Sequence, residues 1–145
     1  AAHMSIPADI LATRLVALRR GPMSAYAALV AGQALAPDPD PELRHWLTEM
    51  IAANDPAAYE QVLTEALANF DLTERLGALA LPALVIIGEK DRVIPPAEGR
   101  ALAGRIRNAE LVELEGVGHI GFAERPGAFN AAVMRFLERI ATTTG

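Results

Sequence analysis

The sequence predicts an α/β protein in which an all-helical region precedes parallel strands with flanking helices. Three observations carry this. Positions 5–79 show helical periodicity only. Leu84-Val85-Ile86-Ile87 is a continuous apolar run, the pattern of a strand buried on both faces. Strand and helix patterns then alternate as β-α-β-α, the order that joins parallel strands by right-handed crossovers.

At 145 residues the chain is long enough to bury the core of one domain. With 52% of residues apolar and 21% charged, it has the balance of a soluble globular domain. A formal net charge of -5 argues against a nucleic-acid partner, which favours basic surfaces. The absence of cysteine removes disulfides, thiolate catalysis and Cys-ligated metals. His3, His45 and His119 are too scattered to suggest a metal centre, and no cofactor is expected. No apolar run approaches the roughly 18–20 residues of a membrane span, and the N-terminus lacks the pattern of a signal peptide. No membrane partner and a cytoplasmic location are therefore expected. Ala1-Ala2-His3-Met4 reads as a vector scar from a cloning site, so fold reasoning starts at position 5.

The helices follow in order. Ile10, Leu11, Arg14, Leu15 and Leu18 suit a first helix that Gly21-Pro22 stops. Tyr26, Leu29, Val30, Gln33 and Ala34 suggest a second, ending before the Pro37-Asp38-Pro39-Asp40-Pro41 linker. Asp40-Pro41 and Asp55-Pro56 each offer a capping carboxylate and a proline at the first helical position. The stripes that follow are Leu43, Trp46, Leu47, Met50, Ile51 and then Tyr59, Val62, Leu63, Ala66, Leu67, Phe70. A short helical turn over 71–76 leads out. Beyond the apolar strand, 97–107 reads as a helix and Leu111-Val112-Glu113-Leu114 as a more polar strand nearer an edge. A last helix carries Phe129, Ala132, Val133, Phe136, Leu137 and Ile140, and the tail at 142–145 is expected to fray.

Parallel strands send their following loops to one edge of the sheet, where open α/β sheets bind ligands. One loop is Gly88-Glu89-Lys90-Asp91-Arg92-Val93-Ile94-Pro95; the other is Gly116-Val117-Gly118-His119-Ile120-Gly121. An acid and a histidine thus meet at one edge although 28 positions separate them. Asp91 is placed to fix the His119 tautomer and stabilise its imidazolium, leaving the other ring nitrogen as a base.

The strand and loop from Leu84 to Pro95 resemble the acid-bearing segment of the α/β-hydrolase fold family. Gly116-Val117-Gly118-His119, with Glu124-Arg125-Pro126 and Phe129 after it, resembles that family's histidine loop and last helix. The order of acid before histidine also agrees. The resemblance implies the C-terminal portion of an α/β-hydrolase fold at 81–145, preceded by an all-helical cap at 5–80. Asn54-Asp55-Pro56-Ala57-Ala58-Tyr59 and the segment from Phe70 to Leu76 are similar to 3-oxoadipate enol-lactonases and related cofactor-free esterases. Hydrolysis of a small ester or lactone, with Asp91 and His119 as catalytic residues, is what the resemblance implies.

The departure from the family is as informative. Its nucleophile sits on a G-x-S-x-G elbow, yet Ser5 and Ser24 are the only serines, and neither lies between glycines. Two expectations follow. The chain supplies acid and base to an N-terminal half of a hydrolase that carries the serine, or it is a catalytically silent, self-associating fragment or interaction module. In either case exposed strand edges and apolar faces are expected to be covered by oligomerisation or a partner chain. Trp46 and Tyr59 suit either a substrate pocket or core packing. Glu124 suits either a tie to the histidine loop or a solvated helix start, His45 a solvent-facing position, and Glu110, Glu113 and Glu115 the exposed face of the second strand.

Overall fold

The computed structural model describes residues 8–66 and 71–143. The vector scar, Ser5, Leu67, Phe70 and the final two residues lie outside these spans.

The first part is helical. α1 (Ala8–Arg20) ends at Gly21-Pro22, and α2 (Met23–Ala34) follows. α3 (Pro41–Ala52) and α4 (Pro56–Gln61) begin at the two Asp-Pro pairs. Asp40 Oδ1 accepts from the Glu42 N–H at 2.8 Å, and Asp55 Oδ1 from those of Ala57 (2.7 Å) and Ala58 (3.0 Å). These bonds satisfy donors that a helix start leaves open. The core of this part centres on Leu18, Tyr26, Ala31, Leu47, Ile51 and Leu63. Arg14, on the apolar stripe of α1, is buried with it and donates from Nε to Gln33 Oε1 at 2.8 Å. Burial pulls its guanidinium below the ordinary value, against the opposing influence of Tyr26 and Tyr59.

Two stripes differ from expectation. In α3 Leu47 and Ile51 are buried with Leu43 against them, whereas Trp46 and Met50 are 46% and 48% exposed. This helix packs chiefly on α2 and so buries a narrow i, i+4 row. After α4 the chain continues as a π-helical turn, Val62–Ala66. That wider turn shifts the phase of the stripe, leaving Leu63 buried and Val62 facing solvent. α5 (Thr73–Leu76) then leads out, its first N–H bonded to Asp71 Oδ1 at 2.8 Å.

β1 (Ala83–Gly88) and β2 (Ala109–Leu114) pair in parallel, from Ala83 opposite Ala109 to Gly88 opposite Leu114. α6 (Pro96–Arg105) connects them; α7 (Gly121–Glu124) and α8 (Pro126–Thr143) follow. α6 stops short of the expected 107 because Ile106 turns extended and is buried. Glu110 and Glu113 point to opposite faces of the ladder. Glu113 pairs with Arg100 of α6 at 2.6 Å and Glu110 with Arg139 of α8, so the two helices flank opposite faces. The three glutamates therefore share no single exposed face, and Leu111 lies outward with Glu113.

β1 is not buried on both faces as its sequence predicts: Ala83 to Ile87 are only half-buried. Among the described residues β2 is its sole partner, so the more apolar strand of the pair keeps an open edge. Among the described residues no helix is long and apolar enough to cross a membrane.

Candidate active site

The site forms where the loops after β1 and β2 meet. Asp91 follows a tight turn off the strand, its N–H bonded to Gly88 O at 3.2 Å. Asp91 Oδ1 accepts from the N–H groups of Val93 (2.8 Å) and Ile94 (2.9 Å), which orients the carboxylate. Its Oδ2 lies 2.9 Å from His119 Nδ1. Burial pushes the Asp91 carboxyl up, but the His119 hydrogen bond, the Ile94 and Val93 donors and the histidine charge together hold it below the ordinary carboxylate value. An ionised Asp91 can only accept, so Nδ1 carries the proton and Nε2 has the free lone pair. The aspartate side chain is 9% exposed and the histidine 35%, an acid held inside and a base open to a reactant.

The histidine loop is fixed by backbone contacts. Gly116 adopts φ +69°, and Val117 is fully buried. Lys90 N–H donates to Val117 O at 2.7 Å, so the acid loop rests on the histidine loop directly. Gly88 makes that approach possible: a Cβ there would lie 2.0 Å from Gly118 O and 2.5 Å from Val117 O. Glu124 resolves in favour of the tie, accepting from Gly118 N–H at 2.9 Å through Oε1 and from Ala36 N–H at 2.8 Å through Oε2. Arg92 Nη2 reaches Gly32 O (2.5 Å) and Leu35 O (3.1 Å). Sequence reasoning missed both the role of Arg92 and the link to α2, because the acceptors are backbone carbonyls with no residue signature.

A groove of about 200 Å³ lies beside the pair, lined among others by Ile86, Ile94, Leu102, Phe122 and Phe129. Trp46 and Tyr59 are not among its lining residues: Tyr59 packs edge-on against Tyr26 at 5.4 Å, and Trp46 lies open on α3. His45 is solvent-facing, and Ser24 is exposed in the first turn of α2.

This arrangement agrees with what the chain is similar to. The model of the alpha/beta hydrolase family matches residues 2–132, and the chain belongs to that family. It is 32% identical over 129 residues to 3-oxoadipate enol-lactonase 2 of Acinetobacter baylyi, a match covering 79% of this chain and 48% of that protein. The enol-lactonase from Burkholderia xenovorans superposes with a TM-score of 0.84 at 32% identity, over 95% of this chain and 53% of that one. A thermophilic esterase from Thermogutta terrifontis gives 0.75 at 25% identity, again over 95% and 53%. The chain thus spans about half the length of these relatives, and its fold is the C-terminal portion of theirs.

The depressed Asp91 pKa has a testable sign. A carboxyl whose folded value lies below its unfolded value adds stability above the unfolded pKa, near 4, that is lost as pH falls through the folded one. Urea unfolding of the chain and of Asp91→Asn from about pH 6 downward is expected to show their stability difference shrinking below about pH 4. A difference that stays constant with pH would contradict the shift.

Proposed function

We propose that this chain supplies the acid and the base of a Ser-His-Asp triad, the serine coming from a polypeptide outside these 145 residues. The observation that carries the reading is the 2.9 Å bond from Asp91 to His119 Nδ1, with Nε2 left for a reactant. His119 Nε2 would take the serine proton as Oγ attacks the substrate carbonyl, while Asp91 stabilises the imidazolium. The histidine would return that proton to the leaving oxygen, and water would resolve the acyl-enzyme by the same route. Small esters or lactones are the proposed substrates, in keeping with the relatives named above. The helical region would act as the cap. The proposal extends to Trp46 and Tyr59 as substrate contacts, supported by the open indole of Trp46. The groove, smaller than the roughly 300–1,000 Å³ of a whole ligand site, is consistent with a site completed from outside.

The test is complementation. The purified chain is mixed with a separately made N-terminal half of a related enol-lactonase that carries a G-x-S-x-G elbow, and hydrolysis of an activated ester is followed. Restored turnover that requires His119 supports the reading; a stable complex without turnover sinks it. A second reading, a self-associating fragment without catalysis, is favoured by the open edge of the apolar strand β1. A defined oligomer that no serine-bearing half can activate would decide for it.

A further inference from the structure

We propose that the end of α2, residues 32–36, is a positioning clamp that holds Asp91 and His119 at hydrogen-bonding distance, with Arg92 and Glu124 as its positioning residues. This rests on the reading of the pair as acid and base. A helix leaves its last carbonyls without intrahelical partners, and both active-site loops use those of α2. Arg92, next to the acid, bonds Gly32 O and Leu35 O. The backbone N–H of His119 itself donates to Ala34 O at 2.6 Å. Glu124 closes the frame by bridging Gly118 N–H to Ala36 N–H.

The clamp is stiff. Leu35 is fully buried, and Ala34 and Ala36 are 5% and 8% exposed. Gly118 lies so close that a Cβ on it would meet Ala34 O and Ala36 N at 2.6 Å. The positive Arg92 also suits the negative end of the helix dipole. Two loops that are far apart in sequence therefore share one rigid reference, and it belongs to the helical region rather than to the sheet. Each link passes through one main-chain step to a catalytic side chain, so loosening it changes the Asp91–His119 distance before it changes the core.

The experiment reads the imidazole of His119 in the full chain by isotope-edited NMR. The unsubstituted chain is expected to show one tautomer and a slowly exchanging, low-field Nδ1–H. Glu124→Gln keeps the shape but turns a donor toward one of the two N–H groups. Arg92→Met removes both carbonyl bonds from an exposed residue and leaves the core intact. Each is expected to lose the low-field resonance and to give mixed tautomers while circular dichroism remains that of the folded chain; Arg92→Lys, which keeps a donor and the charge, is expected to recover part of it. If Glu124→Gln does not fold, Arg92→Met decides. An unchanged resonance in the folded variants overturns the clamp, as does its absence from the unsubstituted chain. Failure of the acid–base reading looks different: in the complementation assay, His119→Ala would hydrolyse ester as fast as the unsubstituted chain, whatever the NMR result.

Discussion

Gly88→Ala is expected to destabilise the chain by about 3 kcal/mol, roughly a 10 °C fall in the thermal midpoint for a chain of this size. The reason is local. The new Cβ would stand 2.0 Å from Gly118 O and 2.5 Å from Val117 O. Both obstacles are backbone, so no side chain can rotate aside. Val117 cannot retreat, because it is fully buried. The loops must part, and the Lys90 N–H to Val117 O bond and the Asp91–His119 bond part with them. Gly104→Ala is the control: in α6, with nothing within 4 Å of its added Cβ, it is expected to be neutral or stabilising by up to about 1 kcal/mol. Thermal melts of the two variants check the contrast, and equal midpoints would show that the loop contact is not tight in solution.

The contrast also marks what the sequence can express. The Asp-Pro helix starts, the apolar strand and the acid and histidine loops were legible because each is a local signal in residue type. The stripe at Val62 was misread because a π-helical turn leaves the spacing of apolar residues unchanged while altering their phase. The half-exposed β1 was misread for another reason. Its composition is that of a strand with neighbours on both sides, and burial is a property of what surrounds a residue. The ties from Arg92 and His119 to α2 were invisible, since carbonyls of Gly32, Ala34 and Leu35 serve equally well whatever side chain they carry. For Glu124 the spacing to His119 was suggestive, but only the partner across 88 positions decides its role.

The second large effect concerns Asp91→Asn, which is expected to lower kcat about 10^4-fold in the complemented enzyme with little change in KM. The surroundings of the carboxylate dictate the outcome. Oδ1 is held by two donors, the N–H groups of Val93 and Ile94. An asparagine must present its oxygen to them, because its NH₂ would face donors with donors. The amide nitrogen is then left pointing at His119 Nδ1, where the aspartate oxygen stood at 2.9 Å. A donor there requires Nδ1 to accept, which moves the imidazole proton to Nε2. The nitrogen that must take the serine proton is thereby already protonated, and no anion remains to stabilise the imidazolium. The backbone is unchanged, so substrate binding is expected to persist. The same substitution in the chain alone gives an independent readout, a switch of His119 from the Nδ1–H to the Nε2–H tautomer by NMR. A tautomer switch with less than a tenfold loss of turnover would mean that His119 is not the base. A full loss of turnover without the switch would mean that Asp91 acts through its charge alone.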